Sequence, residues 1–435
     1  MGRCWATVPS SFRIPGSSAA NRWTRLRIPT WNCLKRFISF PARTIRFCRT
    51  RCAGMSLGRA WMYTTCPARS CLSSPSIIKA SNDMSSTNSS NATRGSLKAA
   101  WARCALWALG SLYVLAAGLQ IYSFVVTRDA LQSELPKNFG NFASVRASLA
   151  ASDANKPFTF VIVGDPRSSA TFEALAEDID KAQPAFVVIL GDWVNDGTMN
   201  QHAYFKRKAP DYGFSCPVFF TPGNHDVDPV DYPLTSFERD YGPRNFSFVY
   251  DDNIFIFISH LDKRFSNRES LNYLRSIDSK TLSAYRNRFV FMHIPPWVSP
   301  DMKERHTADE NELMQIFEDL KIDYVVAADF HGYNRTRLRG VEYVVTGGGG
   351  GRLHDAQWPQ FHHAIALTVG QDMVSERILP ASSRFSIKKR IDMNSIVYVG
   401  PFFYSHYFVI IFANFAFLLL LYAFFKSSCK SKGVQ

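Results

Sequence analysis

The chain reads FVVILGDWVND at residues 186–196 and VFFTPGNHD at residues 218–226. Each stretch begins with a short run of β-branched and aromatic residues and then changes to Gly, Pro, Asp and Asn, which is typical of a buried strand that ends in a turn. The first turn carries Asp192, and the second carries Asn224–Asp226. Side chains capable of metal binding and acid-base chemistry therefore follow two predicted strands directly.

Three further strand-like runs end in polar residues in the same way: Phe158–Val163 before Asp165 and Arg167, Phe289–Met292 before His293, and Tyr324–Ala327 before the stretch DFHGYNR, which contains His331. Helical patterns separate the runs at Ala170–Gln183, Pro233–Tyr241, Arg268–Ser276 and Asp309–Leu320. This alternation predicts a mixed α/β sandwich. Because loops at the carboxyl ends of strands converge on one rim, we expect the polar residues to meet there.

The order and spacing of these motifs resemble the calcineurin-like metallophosphoesterase superfamily, including the purple acid phosphatases. That family has Asp-x-His, Gly-Asp-x-x-Asp, Gly-Asn-His-Asp/Glu, a lone His and Gly-His-x-His in this order, and the resemblance extends over about residues 158–369. It implies a sandwich of two mixed β-sheets flanked by helices. It also implies hydrolysis of a phosphomonoester or phosphodiester through a metal-activated water.

The resemblance implies a metal site built from five residues at the strand ends: Asp165, Asp192, Asn224, His293 and His331. All of these except Asp165 would together bind one ion. Oxygen and imidazole ligands suit Mn, Zn or Fe, and the ligand types alone do not select among these metals.

The candidate catalytic residues are His225, Arg167 and Asp226. By the resemblance, His225 stands beside the leaving-group oxygen as a general acid or a charge stabiliser. The family often orients this histidine with an acid three residues beyond the Gly-Asp aspartate, and this chain has Asn195 there, followed by Asp196. An amide can fix a tautomer but cannot balance an imidazolium charge, so we expect a weaker acid unless Asp196 substitutes.

Two positions depart from the family pattern. Arg167 and Tyr333 stand where a second metal ion would have histidine ligands. A guanidinium has no lone pair for a metal, although it can bind two phosphate oxygens as a bidentate fork. We therefore predict one tightly bound ion and an incomplete second site, with Arg167 supplying positive charge there. A simple salt bridge of Arg167 with Asp165 or Asp192 is the alternative.

Two long apolar runs flank this region. Cys104–Thr127 has no charged residue over 24 positions, and Tyr404–Phe425 is the most apolar part of a segment without Asp, Glu, Lys or Arg. Each run is long enough to cross a hydrocarbon layer of about 30 Å, whereas a buried core helix rarely stays uncharged for so long. We therefore predict an integral membrane protein with two spans, at 104–127 and 404–425.

Around these spans we predict a basic leader at 1–95, a linker at 128–152, the metallophosphoesterase domain at 153–380 and a basic tail at 426–435. Six Lys or Arg residues lie near the spans on each side of the membrane, so their distribution does not orient the protein. We expect an extracytoplasmic domain because the first span, with basic residues before it, resembles an uncleaved signal anchor.

The formal net charge of +14 arises in the leader, which holds 15 Lys or Arg residues and a single acid. The rest of the chain is neutral, so we expect no nucleic-acid partner. The leader is Arg-rich and acid-poor, as a transit segment is, and a non-native extension with translation from Met84 is the alternative. The expected partners are a phosphate-ester substrate and the lipid bilayer.

Two functions fit these features. One is a membrane-anchored metal-dependent phosphoesterase, favoured by the intact ligands and His225. The other is a catalytically reduced family member that binds a phosphorylated ligand or lipid without efficient turnover, favoured by Arg167, Tyr333 and Asn195.

Overall fold

The computed structural model describes residues 87–149, 156–302, 307, 309–353 and 358–430. The chain divides into two units, Met1–Asn82 and Asp83–Gln435, and all described residues belong to the second. The predicted leader and tail lie wholly or partly outside the described residues and remain predictions.

Two mixed β-sheets form the centre of the domain. Their strands in chain order are β1 Phe158–Val163, β2 Phe186–Leu190, β3 Val218–Thr221, β4 Phe246–Tyr250, β5 Asn253–Phe257, β6 Asn287–Phe291, β7 Tyr324–Ala327, β8 Tyr333–Leu338, β9 Val341–Thr346, β10 His362–Val369 and β11 Val374–Ala381. The first sheet has the order β11-β10-β1-β2-β3, and the second has the order β4-β5-β6-β7-β9-β8. In each sheet the strands that lead to the site are parallel, and antiparallel strands complete one edge of the first sheet and both edges of the second.

The helices in chain order are α1 Thr87–Gln132, α2 Ala143–Ala147, α3 Ala170–Lys181, α4 Met199–Lys208, α5 Leu234–Tyr241, α6 Arg268–Ser276, α7 Ser279–Leu282, α8 Glu310–Asp319, α9 Ile387–Asn394, α10 Gly400–Ser405 and α11 Tyr407–Lys430. A π-helical turn, Ser395–Val399, joins α9 to α10. The chain also makes short 3-10 turns at Ala209–Tyr212 and Pro300–Met302.

The two sheets pack face to face through aromatic side chains. Phe160 and Phe186 of the first sheet lie 5.4 and 5.0 Å, between ring centroids, from Phe255 of the second. The outer face of the first sheet packs against α3, α4 and α5, and that of the second sheet against α6 and α8. Strands covered on both faces have the continuous apolar runs seen in the sequence. The predicted sandwich of two mixed sheets flanked by helices is confirmed.

Two helices are long and apolar enough to cross a membrane. They are Ala100–Gln132, with a mean hydropathy of 1.7, and Tyr407–Ser427, with a mean hydropathy of 2.5. Their apolar side chains point outwards, and Trp101, Leu115 and Phe412 are each more than 70% exposed. A core helix of a soluble protein buries such residues, so this surface suits a lipid environment.

The helix α1 continues beyond the predicted span at both ends, and its last turns belong to the domain. Ser123, Val126, Thr127 and Ala130 are buried, and the two apolar ones pack with Tyr204 of α4. The helix α11 runs antiparallel to α1, as Tyr113 stacks on Phe417 and Asn414 donates to Gln120 at 3.1 Å. The pair of apolar helices is therefore attached to the domain through the carboxyl end of α1.

Candidate metal centre

Polar residues follow five strands at one rim of the sandwich: Asp165 after β1, Asp192 after β2, Asn224 after β3, His293 after β6, and Asp329 and His331 after β7. Three of them, Asp165, Asp192 and Asp329, have left-handed backbone conformations with φ of 55°, 58° and 58°. Aspartate adopts this conformation more readily than most residues, and it turns the chain sharply out of the strand. A Cβ atom on Gly223 would lie 2.2 Å from Asp192 Oδ1, so only glycine allows this approach.

The first half of the centre surrounds His293. The Nδ1 atom of His293 donates to the carbonyl of Leu190 at 2.7 Å, which directs Nε2 into the centre. Three oxygens face this Nε2 atom: Asn224 Oδ1 at 3.1 Å, Asp192 Oδ1 at 3.4 Å and Asp329 Oδ1 at 3.8 Å. Ligand atoms of Asp165, Asp192 and His293 lie within 4.8 Å of one another, and all three residues are buried. This geometry could hold a metal ion.

The second half of the centre surrounds His331. Its Nδ1 atom donates to the carbonyl of Arg352 at 2.5 Å, and its Nε2 atom lies 3.1 Å from Asp165 Oδ1. The other oxygen of Asp165 accepts the backbone N–H of Asp329 at 3.0 Å. His331 therefore contacts the centre through Asp165, whereas the sequence had placed it beside Asn224 and His293.

The residue that sequence reasoning missed is Asp329. It lies near His293, in the place that was predicted for His331, because this carboxylate follows β7 two residues before His331. The signal was present, since Asp329 is a carboxylate directly after a predicted strand, like Asp165 and Asp192.

Arg167 binds the shared carboxylate of the two halves. Its Nη2 atom lies 2.6 Å from Asp192 Oδ2, and its Nη1 atom donates to the carbonyls of Val194 and Asn195 at 3.2 and 3.4 Å. The side chain remains 13% exposed. The guanidinium thus occupies one oxygen of Asp192, while the other oxygen faces His293.

His225 lies beside Asp192 with one ring nitrogen fixed. Its backbone N–H donates to Asp192 Oδ1 at 2.9 Å, and its Nδ1 atom contacts the backbone carbonyl of Asn195 at 2.7 Å. Because a carbonyl only accepts, Nδ1 carries the proton and Nε2 is left for a ligand. Asp196 does not take part, since its carboxylate accepts from Gln201 at 3.0 Å.

Asp226 lies behind the centre and joins the two loops that carry it. Its carboxylate accepts the backbone N–H groups of Asp192, Val194 and Gly223 at 2.5, 3.2 and 2.8 Å. The buried imidazole of His202 donates to its backbone carbonyl at 2.8 Å. These contacts fix the relative positions of Asp192 and Asn224.

Tyr333 points away from the centre. Its hydroxyl donates to Glu376 of β11, and its ring meets His363 edge-on at 5.9 Å between centroids. Tyr333, which the sequence had matched to a histidine ligand of a second metal ion, therefore contacts a neighbouring strand instead. Of the two positions that depart from the family pattern, only Arg167 lies at the centre.

The centre concentrates positive charge on its imidazoles. Burial favours a low pKa for His293, but Asp192 and the other carboxylates raise the pKa to about 10. Burial likewise opposes protonation of His331, yet Asp165 raises its pKa above the ordinary value. Although burial acts in the opposite direction, His293 and Arg167 hold the pKa of Asp192 below its usual range. The centre thus contains three carboxylates, one amide oxygen and two imidazoles, and its surroundings favour positive charge. These donors fit a metal cation.

A cavity of about 590 Å³ opens beside the centre. Arg167, His225 and His331 line its inner end, and Arg352, Arg384 and Lys389 are among the residues that line the rest. The centre is therefore accessible to a ligand from one side.

The family model described as calcineurin-like phosphoesterase matches residues 158–333, from β1 to the start of β8. Among curated proteins, none matches the chain in sequence.

Solved structures similar to this chain include GAP50, titled the anchor in the inner membrane complex of Plasmodium, with 12% identity over 55% of this chain and 95% of that chain and a TM-score of 0.40. A dimetal phosphatase from Danio rerio has 12% identity over 53% and 98% of the two chains and a TM-score of 0.42. The purple acid phosphatase PPD1 from yellow lupin seeds has 16% identity over 51% and 52% and a TM-score of 0.38.

The family match includes every strand end that contributes to the centre, and the described sheets have the arrangement that the family resemblance implied. Residues 158–333, about two fifths of the chain, therefore match the calcineurin-like phosphoesterase family.

Proposed function

We propose that this protein is a membrane-anchored metal-dependent phosphoesterase that hydrolyses a phosphomonoester or phosphodiester. The observation that carries the proposal is the convergence of Asp192, Asn224, Asp329 and His293 on one point beside an open cavity. The family match supports a phosphoric-ester hydrolase, and the two exposed apolar helices support the membrane anchor.

One ion would be held by Asp192, Asn224, His293 and Asp329. Mn, Zn or Fe suits these ligands and supplies Lewis acidity, which polarises a phosphoryl group and acidifies water. Asp165 and His331 would complete a second position with the shared Asp192, but Arg167 already binds that carboxylate at 2.6 Å. The set therefore favours one tightly bound ion over two.

Arg167 gives the site a fixed positive charge. A guanidinium forms bidentate hydrogen bonds with phosphate oxygens, and Arg167 both lines the cavity and retains exposed surface. We infer that it orients the phosphoryl group from the side opposite His293.

His225 would assist the departure of the leaving group. Its Nδ1–H is fixed by the carbonyl of Asn195, and the side chain lines the cavity, so Nε2 can face an oxygen bound there and donates a proton to it in the doubly protonated form of the imidazole. Since the fixing group is a backbone carbonyl, no acid at position 195 is needed to set the tautomer.

The membrane orientation also belongs to the proposal. We infer an extracytoplasmic domain from the basic residues before the first apolar helix. A cysteine introduced at the exposed Met373 should react with a membrane-impermeant thiol reagent in intact cells, and protection until lysis would reverse the orientation.

The test of the enzyme is metal-dependent turnover by the full chain in detergent micelles. We expect release of p-nitrophenol from p-nitrophenyl phosphate or its bis-ester with Mn, Zn or Fe, and a loss of about 100-fold in the Asn224→Ala variant. Asn334→Ala, which changes an asparagine of β8 that does not line the cavity, is the matched control.

The alternative is a family member that binds a phosphorylated ligand or lipid without efficient turnover. The pairing of Arg167 with Asp192 favours it, because this contact removes a carboxylate oxygen from metal binding. A wild-type chain that takes up metal and binds inorganic phosphate, but is no faster than Asn224→Ala, would establish this alternative.

A further inference from the structure

The cavity beside the centre is strongly cationic, although the chain after the leader carries no net charge. Among the described residues, no Asp or Glu lines it, and five basic residues do: Arg167, Arg352, Arg384, Lys389 and Arg390. Two of the five have carboxylate partners, Arg167 with Asp192 and Lys389 with Glu173, and the excess of basic residues fits a ligand with several anionic oxygens.

Three of these basic residues are available to a ligand. Lys389 is held by Glu173 and by the carbonyl of Ser169. By contrast, in the part of the chain that the structure describes, Arg352, Arg384 and Arg390 form no ion pair with a carboxylate. The guanidinium of Arg390 lies 5.0 Å from the ring centre of Phe385, which leaves its charge unneutralised.

The helix α9 separates this cavity from an apolar groove. Ser386, Lys389 and Met393 face the cavity, whereas Ile387 and Ile391 line the groove together with Lys388 and Asp392, whose carboxylate accepts from Tyr122. The groove has a volume of about 630 Å³, and its other wall consists of residues of α1: Val114, Leu115, Gly118, Leu119 and Tyr122. One amphipathic helix thus presents a basic side to the site and an apolar side to the first candidate span.

The groove lies beside α1, between the middle of the candidate span Ala100–Gln132 and the turns that are buried in the domain. Tyr404, just before α11, donates to the carbonyl of Phe124 at 3.4 Å, and Asn414 donates to Gln120. The residues of α1 that line the groove, Val114 to Tyr122, lie inside the span Ala100–Gln132. The helix α9 therefore packs beside the candidate span, next to the turns of α1 that are buried in the domain, with its basic residues on the side of the cavity.

We propose that the substrate is an anionic membrane lipid that carries a phosphate ester. This inference rests on the phosphoesterase function proposed above and names its substrate class. The phosphate enters the cationic cavity towards Arg167, and the apolar chain lies in the groove between α1 and α9. A helix is about 10 to 12 Å across, so the glycerol unit and the first part of a chain together pass over α9 between the two recesses.

A soluble phosphate ester would use the arginines but would gain nothing from the groove. The cationic cavity and the apolar groove lie on opposite sides of α9, and this arrangement favours a lipid phosphate over a soluble one. The chains keep the lipid in the same bilayer as the two apolar helices, which raises its concentration at the site, whereas a soluble ester has no such anchor.

The experiment uses the full chain reconstituted in phosphatidylcholine vesicles that contain phosphatidic acid. Release of inorganic phosphate is compared with release from glycerol 3-phosphate, which has the same phosphomonoester without the chains. We expect kcat/KM to be at least about 100-fold higher for the lipid.

The variants separate the cavity from the groove. The double variant Arg384→Ala and Arg390→Ala should lower kcat/KM for phosphatidic acid, relative to p-nitrophenyl phosphate, by about tenfold. Ile391→Ser should also lower this ratio by disturbing the groove. Arg337→Ala, which removes an exposed arginine of β8 that does not line the cavity, should leave the ratio unchanged.

Binding of a non-hydrolysable lipid phosphonate by the Asn224→Ala protein separates this inference from the catalytic proposal. Phosphonate binding that weakens with the two arginines, without turnover of any ester, would contradict the enzyme but support the lipid ligand. Hydrolysis of p-nitrophenyl phosphate with equal kcat/KM for the lipid and for glycerol 3-phosphate would overturn the lipid inference alone. Failure to bind the phosphonate would also overturn it.

Discussion

The two halves of the centre differ in the source of their positive charge. Around His293, oxygens of Asn224, Asp192 and Asp329 lie within 3.8 Å of Nε2. Around His331, Asp165 faces the imidazole, and the guanidinium of Arg167 holds the far oxygen of Asp192. The half around His293 offers oxygen and nitrogen atoms that could bind a metal ion from solution. The half around His331 already has a positive charge, the guanidinium of Arg167. The difference indicates how a site with two cation positions can operate with one metal ion.

The largest expected effect separates the two histidines. His293→Ala should weaken metal affinity by more than about 100-fold, because it removes the imidazole around which three oxygens converge. His331→Ala should weaken it by no more than about tenfold, since His331 pairs with Asp165 and not with the proposed ion. Metal content after dialysis and turnover should follow the same order, and equal losses in the two variants would contradict the division into halves.

Substitution of Asp329 tests whether this carboxylate belongs to the metal ligands around His293. Asp329→Asn keeps the shape of the side chain but removes the charge, and we expect metal affinity to fall by about 10- to 100-fold. Titration of the metal-free full chain with Zn or Mn measures this affinity. Asp323→Asn is a suitable control, because Asp323 pairs with Arg288 at the start of β6. An unchanged affinity in Asp329→Asn would return His331 to the group around His293.

The buried histidine behind the centre, His202, should make the free energy of unfolding depend on pH. His202 is buried between Tyr241 and the carbonyl of Asp226, and burial lowers its pKa to about 3. Its stabilising contribution is complete above its ordinary pKa of about 6.5 and is lost as the pH falls from there, because only the unfolded chain takes up the proton.

For His202 alone, the expected loss of stability is about 2 kcal/mol between neutral pH and pH 5. Thermal unfolding of the detergent-solubilised chain at these two pH values measures it. His202→Gln, which does not titrate, should reduce the pH dependence, and an unaltered dependence in this variant would exclude His202 as its source.

The smallest expected effect concerns Asn195. Its backbone carbonyl fixes His225, and the nearest partner of its side-chain amide is the sulfur of Met393 at 3.9 Å. Asn195→Ala should therefore change kcat by no more than about twofold. A loss of tenfold or more would show that the amide itself supports His225.

Much of the fold follows from local sequence patterns. The ranges of β1, β2, β3 and β7 are the predicted ones, because these strands are short apolar runs bounded by Gly, Pro or Asp. The edge strands β8 and β11 were not predicted. They alternate half-buried and exposed positions and contain many charged residues, so only pairing with β9 and β10 identifies them.

For the site, the sequence indicated that polar residues meet at one rim, and the structure brings them together there. It did not indicate which residues share a half. That division depends on the left-handed turns at Asp165, Asp192 and Asp329, which decide where each side chain points. The role of the Asn195 carbonyl could not be predicted from the sequence either, because every residue has a backbone carbonyl.

The number of metal ions per chain tests whether Arg167 replaces the second ion. Elemental analysis of the purified full chain, saturated with Zn or Mn and then dialysed, should give one ion in the wild type and in Tyr333→His. In Arg167→His the number should approach two, because the guanidinium is replaced by a ligand beside Asp165, Asp192 and His331. Two ions in the wild type, or one ion in Arg167→His, would contradict the replacement of the second ion by Arg167.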